Sequence, residues 1–166
     1  MRVTFKGEPI ELSGSFPRVG DHAPDFCLTS QTLEDVGLAA FEGRPKLLSI
    51  VPSLDTSVCA RSTQVFDAQA GDHPDVAVLV ISCDLPFAQK RFVEAHGLGH
   101  VTPLSLMRDR QFARDYGVLI ASGPLRSLCA RAVVVLDENN VVRHAQLVPE
   151  IAQEPDYDAA WAALKA

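Results

Sequence analysis

Lys46-Leu47-Leu48-Ser49-Ile50-Val51-Pro52-Ser53-Leu54-Asp55-Thr56-Ser57-Val58-Cys59 decides the reading of this chain. A nearly continuous apolar run, as a central strand buried on both faces requires, stops at a proline. Asp55, Thr56 and Ser57 follow, and each has a side chain able to cap a helix. A helix is expected from about Ser57 to about Ala70, with Cys59, Thr63, Phe66 and Ala70 on one side at helical spacing. Cys59 therefore falls in the first turn. A thiol at its ordinary pKa is mostly protonated at neutral pH, and the thiolate is the nucleophile. A helix N-terminus favours negative charge through its unpaired N–H groups and its dipole, and a neighbouring cation adds to the effect. The same local pattern also suits a small buried residue.

Outward from this junction the order of elements points to an α/β fold. Residues 2–13 read as a hairpin turning at Lys6-Gly7, and 14–24 as a Gly/Pro/Ser-rich loop. Phe26-Cys27-Leu28-Thr29 reads as a brief strand with Cys27 in the core. Val76–Ser82 is a second buried strand. Pro86–His96 reads as a helix capped by Asp84, and Asp109–Tyr116 as a short helix ending at Gly117. Arg131–Leu136 is a third central strand, turning through Asp137-Glu138-Asn139-Asn140 into Val141–Leu147. Glu154-Pro155 opens a last helix with Tyr157, Trp161 and Leu164 on one face, an apolar stripe suited to packing on the sheet or to a dimer contact. This succession is that of a thioredoxin-like fold with a central mixed sheet, although periodicity alone gives only α/β. No linker, repeat or low-complexity stretch divides residues 1–166, so one domain is expected.

Composition narrows the function. The chain has 166 residues, is 47% hydrophobic and 22% charged, and carries a formal net charge of −6 with basic residues scattered. A nucleic-acid partner is disfavoured. No apolar run reaches membrane-spanning length and the N-terminus lacks a secretory apolar centre, so a cytoplasmic location is expected. Cys27, Cys59, Cys83 and Cys129 include no C-x-x-C pair, and the five histidines form no ligand-spaced cluster. Gly97-Leu98-Gly99 separates His96 from His100. Neither a metal site nor a cofactor is expected.

Pro52-x-x-x-Thr56-x-x-Cys59 resembles the P-x-x-x-T-x-x-C signature of peroxiredoxins. The stretch Val51–Cys59 is similar to the thiol peroxidase subfamily in particular. So are Asp84-Leu85-Pro86-Phe87-Ala88-Gln89-Lys90-Arg91-Phe92, Gly123-Pro124-Leu125, Ala130–Asn139, Tyr116-Gly117-Val118 and Glu154-Pro155-Asp156-Tyr157. The resemblance runs over essentially the whole chain. It implies a thioredoxin-like (peroxiredoxin) fold, commonly a homodimer, and an antioxidant enzyme that reduces hydrogen peroxide and organic hydroperoxides. It also implies site residues: Cys59 as the peroxidatic nucleophile that becomes a sulfenic acid, Thr56 at the thiolate and the peroxide, Pro52 shielding the sulfur, and Arg131 as the active-site cation. A guanidinium stays charged at any working pH, which suits that task. Taken alone, Arg131 reads as a surface residue at a strand end.

The resemblance breaks at one position. The subfamily typically carries a resolving cysteine directly after Arg-Phe of the second helix, and here that place holds Val93. Valine cannot attack a sulfenic acid. Thioredoxin or a small external thiol then reduces Cys59, or Cys83 or Cys129 resolves it, or the valine is an introduced replacement. Cys83 lies at the C-terminal end of its strand, where α/β folds place their sites. Cys129 lies two residues before Arg131, and the two share a face if the strand is already extended there. Packing alone also accounts for both. A peroxide sensor or relay, passing oxidation to a partner protein, is the alternative function; stoichiometric oxidation ending on a captured partner distinguishes it from turnover.

Overall fold

The computed structural model describes residues 1–165. Strands β1 (Arg2–Phe5) and β2 (Glu8–Ser13) form the expected hairpin. Its two turn residues both take positive φ, 53° at Lys6 and 82° at Gly7. That left-handed pair matches the twist of the flanking strands. The remaining elements are β3 (Leu28–Thr29), β4 (Asp35–Val36), β5 (Lys46–Ile50), α1 (Ser57–Ala70), β6 (Ala77–Ser82), α2 (Pro86–Ala95), β7 (Val101–Ser105), α3 (Gln111–Asp115), β8 (Leu119–Ile120), β9 (Ala132–Leu136), β10 (Val142–Leu147) and α4 (Tyr157–Ala162). A 3-10 turn at Leu38–Phe41 precedes β5.

A seven-stranded mixed sheet runs in the order β10-β9-β5-β6-β7-β3-β4. β5, β6 and β7 are parallel, and β9 lies antiparallel beside β5. The hairpin pairs separately with β8. Strict alternation along the central strands splits the core in two. Leu48 and Ile50 of β5, Leu79 and Ile81 of β6, and Ala132 and Val134 of β9 pack into one cluster. Leu47, Val78, Val80, Val133 and Val135 face the other, with Phe66 of α1 and Trp161 of α4. A period-2 strand sends neighbouring side chains to opposite faces, so each strand serves both cores.

Several expectations are corrected. Cys27 is exposed, because Phe26 and Leu28 on either side of it turn inward. The third strand begins only at Leu28. The last helix starts at Tyr157 rather than at Glu154-Pro155, with the Asp156 carboxylate capping the Ala159 N–H at 3.0 Å. Leu85, not Asp84, is the N-cap of α2, and Pro86 takes the first turn. The Asp84 carboxylate is used elsewhere. No helix among the described residues is long and apolar enough to cross a membrane.

Candidate active site at the start of the first long helix

Register places the site. Ile50, the last residue of β5, pairs with Ala132, the first of β9. The residues just outside this pair are Val51-Pro52 and Arg131, so the arginine arrives beside the loop that leads into α1. Arg131 has the parity of Val133 and Val135, and therefore faces the same core as Cys59. Thr56 is the N-cap residue of α1, with φ −116° and ψ 149°, and Cys59 is the third helical residue. Its carbonyl accepts hydrogen bonds from the Ser62 hydroxyl at 3.1 Å and the Thr63 hydroxyl at 2.8 Å. Both hydroxyls are buried, and together they pin the first turn.

Arg131 Nη2 donates to Cys59 Sγ at 3.1 Å, and Nε donates to the Ile151 carbonyl at 2.9 Å. Cys59 is 0% exposed and Arg131 2%. The reading of Arg131 as a strand-end surface residue thus fails: the side chain is buried against the sulfur. A desolvated guanidinium needs compensating partners, and the adjacent sulfur and the Ile151 carbonyl are those it has. The third guanidinium nitrogen, Nη1, is buried with no hydrogen-bond partner among the described residues. An unsatisfied donor in such a position costs stability and marks a place where an acceptor oxygen fits.

Pro52 is buried and Thr56 is exposed. The Thr56 hydroxyl donates to the Ser53 carbonyl at 3.0 Å and makes no cap bond. The structure thus brings Cys59 and Arg131 into contact, packs Pro52 into the loop, and sets Thr56 one turn earlier with its hydroxyl turned onto that loop.

Asp84 is the residue that sequence reasoning misplaced. Its carboxylate accepts from the Ser53 hydroxyl at 2.7 Å, the Leu54 N–H at 2.7 Å and the Ser82 hydroxyl at 2.8 Å. It clamps the loop before Cys59 to the end of β6. A cavity of about 490 Å³ lies against that loop, lined by Ser53, Leu54, Asp55, Asp84, Arg91 and Phe92, among others. Asp84→Ala leaves three donors without their acceptor and is expected to cost about 1–3 kcal/mol of stability. A lower urea midpoint at unchanged slope checks this, and an unchanged midpoint contradicts the clamp.

Glu154 and Tyr157 complete the surroundings. The Glu154 carboxylate accepts from the Tyr157 hydroxyl at 2.8 Å and from Arg61 Nε at 3.0 Å. The tyrosine hydroxyl, then Arg61 and Arg131, hold its carboxyl below the usual range. Burial, then Glu154, pushes the Tyr157 hydroxyl up. Tyr157 packs edge-on against Phe66, one turn or more along α1 from Cys59.

Cys83 and Cys129 do not join Cys59. Cys83 lies at the expected end of the sheet, but with the parity of Ile81 it packs against the opposite core. Cys129 belongs to that opposite core as well. The chain is not yet extended at Cys129: β9 begins at Ala132, and Cys129 bridges Leu119 instead. The shared face with Arg131 is therefore lost. Val93 lies half-buried on α2. Chemically, the site presents one nucleophilic sulfur, one fixed cation with a spare donor, and a dry setting that strengthens both.

Residues 18–161 match the family described as Redoxin. The chain is 47% identical to a thiol peroxidase of Leptospira interrogans, over 99% of this chain and 98% of that protein. Among solved structures it resembles a peroxiredoxin-like protein from Aquifex aeolicus, at 40% identity and TM-score 0.93. It equally resembles a thiol peroxidase from Chromobacterium violaceum, at 29% identity and TM-score 0.93. Both superpositions cover 99% of this chain and 95% of the other.

Proposed function

The chain belongs to the redoxin family, and from that premise we propose that it reduces hydrogen peroxide and organic hydroperoxides with Cys59 as the nucleophile. It is a thiol-dependent peroxidase with a peroxiredoxin fold. The observation that carries the assignment of Cys59 is its buried contact with Arg131 at 3.1 Å.

The Cys59 thiolate attacks one peroxide oxygen in line. An S–O bond forms, the O–O bond breaks, and water or an alcohol leaves. Nη2 stabilises charge on the sulfur, while Nη1, free of other partners, meets the oxygens on which charge develops. Its Nε bond to Ile151 fixes the guanidinium plane in advance, so little reorganisation is needed during the reaction. Thr56, released from Ser53, turns its hydroxyl to the peroxide. Pro52 keeps water from the sulfur.

Reduction of the sulfenic acid falls to an external thiol, thioredoxin or a small thiol. Two observations support this: Val93 stands where the family's resolving cysteine is expected, and Cys83 and Cys129 pack against the opposite core. A homodimer in the cytoplasm completes the reading, on the strength of the family resemblance. No cofactor enters the chemistry. The test is hydroperoxide consumption with an external thiol as the sole reductant. Turnover is expected, with activity declining over successive cycles as Cys59 accumulates sulfinic acid, because its sulfenic acid has no dedicated partner. Undiminished activity over many cycles contradicts the predicted over-oxidation, and no consumption overturns the peroxidase reading.

A further inference from the structure

Two thiols that the peroxidase site does not use, Cys83 and Cys129, pack in the opposite core. Cys83 follows the last residue of β6, and Cys129 lies in the segment that enters β9. Both belong to one packed cluster, and each thiol shifts the other's protonation, as neighbouring groups do. Cys83 Sγ also lies 3.6 Å from the Ser127 carbonyl oxygen. Ser127 takes φ +78°, a left-handed conformation uncommon for a residue with a side chain. Arg110 braces it: Nε donates to the same Ser127 carbonyl at 2.9 Å, and Nη1 donates to the Leu106 carbonyl. Cys83 is partly exposed, whereas Cys129 is fully buried.

The pair is asymmetric in a way that suits sequential thiol chemistry. Its neighbour Cys129 and, after it, the Arg110 charge hold the Cys83 thiol down, against its burial. Cys83, together with burial, pushes the Cys129 thiol up. Cys83 is thus the more reachable and the more acidic sulfur, and Cys129 the buried partner.

We propose that Cys83 and Cys129 form a second redox centre, which hydroperoxide oxidises to an intramolecular disulfide without Cys59. The Cys83 thiolate attacks a peroxide oxygen; an S–O bond forms, the O–O bond breaks, and the leaving oxygen takes a solvent proton to depart as water or alcohol. Cys129 then attacks the Cys83 sulfur. The S–S bond forms, the S–O bond breaks, and the departing hydroxide takes the proton that Cys129 loses and leaves as water. The two sulfurs give up two electrons and the peroxide receives them. The reaction is slower than that at Cys59, because no guanidinium nitrogen touches the Cys83 sulfur. Once closed, the disulfide ties the end of β6 to the segment leading into Arg131.

The test uses full-length Cys59→Ser protein, fully reduced and then treated with excess hydrogen peroxide. Free thiols are counted by maleimide labelling and located by peptide mapping. The expected result is that Cys83 and Cys129 are lost to labelling as one cross-linked peptide lighter by two hydrogens. Dithiothreitol restores both, and Cys27 remains free of the cross-link. Adding Cys129→Ala is expected to give oxygenated Cys83 and no cross-link. Labelling of both Cys83 and Cys129 after treatment, or oxygenated Cys83 beside a free Cys129, overturns the proposal. If Cys59→Ser does not fold by circular dichroism, the same mapping of Cys59→Ala protein decides it: a Cys83–Cys129 cross-link supports the proposal, and its absence overturns it. Failure of turnover at Cys59 leaves this outcome untouched, so the two readings fail separately.

Discussion

Cys59→Ser is expected to lower hydroperoxide reduction by at least about 10³-fold, since the nucleophile itself is removed and hydroxyls lack the ready anion of a thiol. The substitution is close to isosteric, and Cys59 is fully buried. The serine oxygen can still accept the Arg131 Nη2 hydrogen bond that the sulfur accepts at 3.1 Å. The fold should therefore survive, with the helix-turn bonds from Ser62 and Thr63 intact because they reach the Cys59 carbonyl and not its side chain. Initial rates at saturating external thiol, with circular dichroism alongside, check this. Activity within tenfold of the unaltered protein would mean that another sulfur carries the reaction.

Arg131→Met is expected to reduce kcat/KM by about 10²-fold or more, in the range that follows loss of a preorganised donor. Methionine fills the buried volume but removes three functions at once: the bond to the sulfur, the bond to Ile151, and the spare donor at Nη1. Arg131→Lys is expected to recover only part of the loss. An ammonium is a compact charge on a flexible stem, and it cannot reach the sulfur, the Ile151 carbonyl and an incoming oxygen with the fixed fork of a guanidinium. The discriminating readout is the second-order rate of Cys59 oxidation, measured by rapid quench before any reductant acts. An Arg131→Met protein that oxidises at the normal rate contradicts the assigned role, whatever its steady-state activity.

The junction of β5 and α1 was legible because every local signal there agrees: a run buried on both faces, a proline stop, capping residues, then helical spacing. The hairpin at Lys6-Gly7 was legible for the same reason. What escaped the sequence depends on pairing between distant segments. β7 holds Pro103, and a proline inside an apolar run argues against a central strand. It is tolerated because β3 meets β7 only at Thr29 and Ser105, leaving Pro103 beyond the paired residue. Asp84 precedes a helix as a cap would, yet Pro86 in the first turn offers no N–H. The carboxylate is taken instead by Ser53 and Leu54, some thirty positions earlier. Cys129 shows the limit of parity arguments: spacing put it on the face of Arg131, but the bridge to Leu119 holds the chain out of the strand until Ala132. At the site, local pattern singled out Cys59, while the roles of Pro52 and Thr56 came with the family resemblance. Arg131, 72 positions away, needed the family resemblance, because only the register of β5 with β9 brings it to the sulfur.

The most direct test of the central claim is to treat reduced protein with one equivalent of hydroperoxide in the presence of a sulfenic-acid trap, and to map the modified peptide. The trap is expected on Cys59, with Cys27, Cys83 and Cys129 still free at that stoichiometry. Oxidation of any other cysteine with Cys59 unchanged would contradict it.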